Sequence, residues 1–425
     1  MLRLLRLAAA VGLLIAVQPA ASQESTRDSK FAYEDVPQFG GPSSVGANLR
    51  EDDRARQTVD RFEDPRRNLK PYFEFKDALN DSHGLYFGFD YTGLYQGASS
   101  SPGKKDAAGG IFRAFGNWTL TGRGTPDTGS LVYKVESRHR LGTEIAPQGL
   151  GFEVGYVGLT AGPYGDYDWS LTNLYWKQKF ADGRATFVAG QLDATDYVNI
   201  YGMINPWTSF TNLAFLTDAT IPVPNQGLGA AFGAMLTDNV YVVGGLADAN
   251  GDPTRPDKTF DSFFDQSEFF SHLELGWTSA QDRIYLDNVH FTAWHADQRK
   301  KVGVPDGWGL AFSAAKFVDE RWMPFLRLGY AKNGGALWER SASAGVGYYI
   351  KARADLVGLG LNWSRPSKSS FGPGLRDQTT AELFYRLQLS PNFALTPDIQ
   401  LLVNPALNPR EDHIWVFGLR ARLAL

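Results

Sequence analysis

Lys134, Glu136, Arg138 and Arg140 stand at alternate positions in one run, with Tyr133 before them and Val135, Ser137 and His139 between them. Residues two apart share a face of an extended chain, so this spacing draws both signs of charge into a single line. The line offers cationic donors beside a carboxylate acceptor, which suits reversible hydrogen bonding to a polar solute in water. Hydrocarbon is excluded as its environment, because each Arg or Lys there would cost about 2–4 kcal/mol at the midplane of a bilayer. Smaller polar sets recur on a shared parity, two or four residues apart: Arg113 with Asn117, Lys177 with Lys179, Glu382 with Arg386, Asp398 with Gln400, and Arg420 with Arg422; Gln191, Asp193 and Arg327 stand singly. Covalent chemistry has no comparable signal. The six histidines are scattered, and His290 and His295, the nearest pair, are five apart and fall on opposite faces of a strand. No G-x-S-x-G nucleophile motif stands out and cysteine is absent. The expectation is therefore no catalysis, no metal and no cofactor.

The segments that must carry these charges read as strands. At the C-terminus, Trp415, Phe417, Leu419, Leu423 and Leu425 fall on one parity, and Gly418, Arg420 and Arg422 on the other. Leu383, Tyr385, Leu387 and Leu389 likewise oppose Glu382, Arg386 and Gln388, and Leu395, Ile399, Leu401 and Val403 oppose Thr396, Asp398 and Gln400. Strands this long, apolar on one face and charged on the other, fit a barrel in lipid with a wet lumen. Sixteen runs of this kind are expected: 85–95, 111–121, 130–140, 169–180, 184–192, 228–236, 239–247, 269–278, 283–295, 307–317, 322–331, 342–350, 354–364, 379–390, 393–404 and 413–425. An even count suits a single-chain bacterial barrel.

Loop lengths agree. Short connections at 181–183, 237–238, 279–282, 318–321, 351–353 and 390–392 alternate with longer ones, notably 193–227 and 248–268. Residues 151–160 look strand-like, but that strand would put the long 193–227 loop on the short-turn side, so 141–168 is assigned as one loop. Run 283–295 does not hold phase at Asp287 and Val289, which predicts a bulge. Pro397 removes a ladder donor from within a strand. The fold class is thus all-β: a transmembrane antiparallel β-barrel of about 16 strands in the bacterial outer membrane.

Composition fits. Apolar content is 43%, aromatics are 13%, and there are 45 glycines. No apolar run long enough for a membrane helix, about 18 residues, occurs beyond the first 22 residues. Arg3 and Arg6, the apolar Leu7–Val17 and the small Ala20–Ser22 have the order of a secretory signal, with cleavage expected after Ser22. Its removal takes two positive charges from a chain already at −4, which argues against a nucleic-acid partner. The expected organisation is a signal at 1–22, a polar periplasmic segment at 23–84 and the barrel at 85–425. Within the charge-dense segment 49–67, residues from Arg50 to Asp60 could sit on a short solvated helix that Pro65 would end, and the segment up to about residue 71 is read as a lead-in carrying no function.

Three C-terminal pieces are similar to the closing signature of carbohydrate-selective porins of the OprB type: Ala381-Glu-Leu-Phe-Tyr-Arg-Leu387, Leu395-Thr-Pro-Asp-Ile-Gln-Leu-Leu-Val-Asn-Pro405 and Phe417-Gly-Leu-Arg-Ala-Arg422. Leu174-Tyr-Trp-Lys-Gln-Lys-Phe180 leading to Gly190-Gln-Leu-Asp193, and Arg353-Ala-Asp-Leu-Val-Gly-Leu-Gly-Leu361, agree with it. The resemblance spans about residues 85–425 and implies a sixteen-stranded outer-membrane channel for glucose and related small neutral sugars, with a proline tolerated at 397. Such barrels usually end on an aromatic residue, whereas this chain ends on Leu425, the last strand being the part offered to the barrel-assembly machinery. A sugar path needs charges of both signs and an aromatic surface. Candidates for the first are Arg113, Glu136, Arg138, Arg140, Lys177, Lys179, Gln191, Asp193, Glu382, Arg386, Asp398, Gln400 and Arg420. For the aromatic rail they are Tyr167, Trp169, Trp207 and Phe210. A pore for small anions or aromatic acids, and a structural surface barrel, remain as alternatives, and the oligomeric state is left open.

Overall fold

The computed structural model describes residues 39–52, 69–350 and 354–425. The signal sequence, Pro65 and the expected turn at 351–353 lie outside the described residues. Each expected run overlaps a strand, with bounds that differ by up to five residues. The first four are β1 (Leu85–Ala98), β2 (Asp106–Thr121), β3 (Gly129–Arg140) and β4 (Asp168–Phe180); β5 (Ala185–Leu192), β6 (Gly227–Met235), β7 (Val240–Asp248) and β8 (Phe269–Thr278) follow. The rest are β9 (Asn288–Ala296), β10 (Gly307–Ala315), β11 (Trp322–Asn333), β12 (Trp338–Tyr349), β13 (Leu356–Pro366), β14 (Gln378–Ser390), β15 (Phe393–Val403) and β16 (His413–Ala424). Every strand pairs antiparallel with its neighbours in sequence, and β1 pairs with β16, so the sheet closes and leaves no edge.

Alternation decides the two surfaces. Phe291, Leu310, Leu361, Phe417 and Leu419 are exposed on the outside, while Glu136, Thr292, Arg327, Glu382, Gln400 and Arg420 are buried inside. Among the described residues no helix is long and apolar enough to cross a membrane; the strands do that.

Three local features refine the sequence reading. No bulge occurs in β9: the strand starts at Asn288, and Asp287 is off phase because it belongs to the preceding turn, where it accepts from Arg283, Ser279 and the Phe317 N–H. The bulge is in β4 instead, where Lys134 pairs with Asn173 and Val135 with Leu171, leaving Thr172 as an extra residue. Pro397 keeps the register with β16, but the ladder to β14 passes from Phe384↔Asp398 to Leu387↔Leu395 without pairs between.

The bore is largely filled from the long-loop end. Loop 141–167 is a single connection, as expected, and carries α3 (Pro147–Glu153). Loop 193–226 turns inward with α4 (Leu213–Leu216). Its Tyr201, Met203, Phe210 and Phe215 pack with Tyr156, Phe325, Trp338, Leu356 and Phe384 into an apolar cluster inside the wall. Residues 39–52, including α1 (Val45–Asp52), are also inside, where Val45 and Leu49 join Phe115, Val132, Tyr175 and Val188. That corrects the lead-in reading for this part of the chain: its apolar side chains and Asp52 are buried against the inner wall. Helix α2 (Lys70–His83) remains beside β1, ending at Gly84 with φ 71°.

Candidate functional site

The charged line of β3 faces inward, as alternation requires. Lys134, Glu136 and Arg138 are buried at 5%, 0% and 8% exposure, too far from bulk water to be left unpaired. Arg138 donates from Nε and Nη2 to Glu136 Oε2 at 2.8 and 2.5 Å, and Lys134 Nζ stands 3.7 Å from Glu136 Oε1. One carboxylate thus holds two cations, leaving a net positive strip. Beside it on β2, Arg113 donates from Nε to Asp90 Oδ1 at 2.8 Å and also engages Asp90 Oδ2.

Loop 193–226 supplies the opposite wall. Trp207 lies with its ring centroid 3.9 Å from Arg113 Cζ, and Tyr164 meets its edge at 6.1 Å. Its backbone N–H donates to Asn205 Oδ1 at 2.9 Å. Tyr167, from loop 141–167, lies under the Arg138 guanidinium at 5.6 Å and donates its hydroxyl proton to Gln148. Asp193 Oδ1 accepts from Thr195 N at 3.0 Å and Oδ2 accepts from Gln226 Nε2 at 2.6 Å, which pins the start of the loop. Asp196 lies one turn on; burial pushes its carboxyl up to about 6 against the pull of the Lys134 ammonium. A cavity of ≈ 280 Å³ is lined by Lys134, Glu136, Arg138, Tyr167, Asp193, Asp196 and Trp207 among others, with Arg113 behind Trp207 and outside the lining. That is near the lower end, about 300 Å³, of ordinary small-molecule sites.

The remaining sequence candidates lie elsewhere, for physical reasons. Glu382 gives one oxygen to Thr211 N at 2.7 Å and the other to Asn212 N at 3.0 Å, so it anchors the loop instead of facing open lumen. Gln400 bonds Asn212 and the Thr160 carbonyl, and also donates to its strand neighbour Asp398 at 3.2 Å. Arg420 donates to the carbonyls of Pro206 and Ser209, and Arg386 to those of Ala354 and Thr208. All of these are corrections to a path along the inner face of β14–β16: the loop occupies that face.

Arg140 is exposed at the mouth, bonded to Asp166 and to the Glu144 carbonyl. Lys177 and Lys179 are half-buried on the short-turn half of β4, away from the cavity. Gln191 accepts from Thr259 at 2.7 Å beneath loop 249–268. Its ladder pairs are Leu174, exposed on the outer face, and Leu228, so it lies on the outward parity and is covered by that loop. Trp169 is not on a rail. The β4 bulge reverses parity after Thr172, so Trp169 points outward, 58% exposed and edge-on to Phe112. Phe210, fully buried, packs on Phe215, Phe325 and Phe384 as loop core.

The sequence reading missed Asp196, Ser43, Gln148 and Asp252, all of which line the cavity from non-strand segments where no periodicity reports orientation. Among the described residues there is no cluster of His, Cys, Asp and Glu able to hold a metal.

Comparison with known proteins bears on this arrangement. The family model for the carbohydrate-selective porin, OprB family, matches residues 121–311 and 294–425. The porin AaxA of Chlamydia pneumoniae is 25% identical over 327 residues, covering 72% of this chain and 70% of that protein. The AaxA of Chlamydia felis is 24% identical over 268 residues, covering 60% and 58%. Among solved structures, OprB of Pseudomonas putida at high pH superposes with a TM-score of 0.67 at 15% identity, covering 83% of this chain and 97% of that one. Its low-pH structure gives 0.52 at 12% identity, covering 88% and 100%. Those superpositions speak to the fold.

Proposed function

From the premise that the chain belongs to the carbohydrate-selective OprB family, and so is an outer-membrane porin, we propose that it passes neutral, glucose-like monosaccharides by passive diffusion through the cavity against β3. The observation that carries this reading is the pairing of a two-signed charge line with aromatic residues around a small void. A pyranose has hydroxyls that donate and accept, and apolar C–H faces. Lys134 and Arg138 supply donors, Glu136 and Asp193 acceptors, and Tyr167 and Trp207 aromatic surface. Arg138 and Glu136 Oε2 are already bonded to each other, so a sugar exchanges hydrogen bonds with that pair, while Glu136 Oε1, 3.7 Å from Lys134 Nζ, stays open to accept one. That keeps binding weak, as conduction requires.

Glu136, Asp193, Asp196 and Asp252 in the lining stand against Lys134 and Arg138. This excess of carboxylates supports neutral solutes over the anionic alternative. Insertion into lipid through β16 by the barrel-assembly machinery belongs to the same reading, with the short-turn end at the periplasm.

Liposomes containing the purified protein should admit glucose faster than a disaccharide and much faster than phosphate. Equal rates for charged and neutral solutes would sink sugar preference, and no swelling would turn the reading toward a structural barrel.

A further inference from the structure

Residues 39–52 cross the bore below the cavity. At one end Phe39 lies against inward-facing Gly233 of β6, where an added Cβ would stand 2.3 Å from the Phe39 ring. The segment is then tied to the underside of loop 193–226. Gly41 N donates to the Asp196 carbonyl at 2.7 Å, Ser43 Oγ to Asp196 Oδ1 at 2.9 Å, and Asn205 Nδ2 to the Pro42 carbonyl at 3.0 Å. At the other end α1 docks on β1 and β16. Tyr86 donates its hydroxyl proton to the Leu49 carbonyl at 2.9 Å, and Arg422 forks onto Asp52 at 2.8 and 2.7 Å while also bonding Asp90.

Register fixes the depth. Leu49 packs on Gly88, which pairs with Phe115, which in turn pairs with Lys134. The Leu49 contact therefore lies two ladder pairs toward the short-turn end from the Asp90–Arg113–Glu136 tier, and Ser43 reaches up into the cavity lining. Between α1 and β2–β5, Val45 and Leu49 pack with Phe115, Val132, Tyr175 and Val188, which fills that side of the bore with apolar side chains.

We propose that residues 39–52 form a fixed strap across the periplasmic side of the cavity and set the upper size of solute that leaves it. The strap rests on the porin reading but not on sugar preference. Its anchors are a bidentate buried ion pair and an apolar plug, so it acts as a static floor and not as a lid.

The test uses the full chain in planar bilayers, with graded neutral ethylene glycol polymers as size probes. In the Leu49→Ala/Asp52→Ala double variant Arg422 keeps Asp90, so the barrel retains its wall pairing. Conductance should rise about twofold or more, and polymers excluded from the wild-type channel should enter. Unchanged conductance and size limit in a variant that remains heat-modifiable would overturn the proposal.

Ser43→Cys gives an independent arm, since the chain has no cysteine. A bulky thiol reagent should modify the folded channel and remove most of its current. A fully labelled channel with full current, or a thiol that never reacts, would place the strap outside the path. Should sugars fail to compete for wild-type current while the double variant still widens the pore, sugar preference falls and the strap stands.

Discussion

Glu136 on β3 and Glu382 on β14 are both fully buried carboxylates on the inner face of the same barrel, and they do opposite things. Glu136 is bonded by its own strand neighbours, Lys134 and Arg138, and so leaves its surroundings open as a cavity. Glu382 is bonded by the backbone of Thr211 and Asn212, and so fixes a loop that fills the space before it. The difference lies in who supplies the donors. Side chains of the same strand satisfy a charge and leave the bore free, whereas a loop backbone satisfies it and takes the bore up.

The largest expected effect tests that contrast directly. Glu382→Ala leaves the buried N–H groups of Thr211 and Asn212 without an acceptor, each costing about 1–3 kcal/mol. Loop 193–226 should lose its seat and single-channel conductance should rise, with the barrel still heat-modifiable because the strand ladders are untouched. Glu136→Ala should change sugar competition with far less change in conductance. Were the two variants to behave alike in both readouts, the distinction between anchor and path would be broken.

The same pair shows what could be read from sequence. Period two placed both carboxylates on the inner face, because a strand has only two faces, and the alternating runs located all sixteen strands. Whether the lumen in front of an inward residue is open depends on contacts such as Glu382 to Thr211, 171 residues apart, or Arg422 to Asp52, 370 apart. No local pattern encodes those. Trp169 failed for a different reason: a single extra residue at Thr172 reverses the faces, and a bulge of that kind leaves the spacing of residue types looking regular.

A sharper contrast comes from two arginines. Arg138→Ala removes a charged donor from the cavity, worth about 1.5–3 kcal/mol if it contacts the sugar, so the sugar concentration that half-blocks current should rise roughly tenfold or more. Arg386→Ala frees the Ala354 and Thr208 carbonyls and should lower thermal stability while leaving sugar block unchanged. Equal loss of sugar block in both would return β14 to the path. The aromatic residues repeat the test at smaller amplitude. Trp207→Ala should weaken sugar block severalfold, whereas Trp169→Ala, on the lipid-facing side, should leave it as in the wild type.

The smallest effect concerns Asp196, which belongs to the cavity side alone. Its carboxyl titrates at about 6, raised by burial, with the Lys134 ammonium opposing that rise and the Asp193 and Glu136 carboxylates adding to it. A carboxyl with a raised pKa is charged above that value and neutral below it. As pH falls from about 7.5 to 5, the cavity therefore loses one negative charge, and the cation preference of the potassium chloride current should decline with a midpoint near 6, read as a shift in reversal potential. Asp196→Asn should flatten that step, while Glu382→Gln, across the bore beneath the loop, should leave it in place. A flat profile in the wild type, or a step that survives Asp196→Asn, would mean that ions pass on the loop-filled side, and the functional division between the two halves of the interior would have to be reversed.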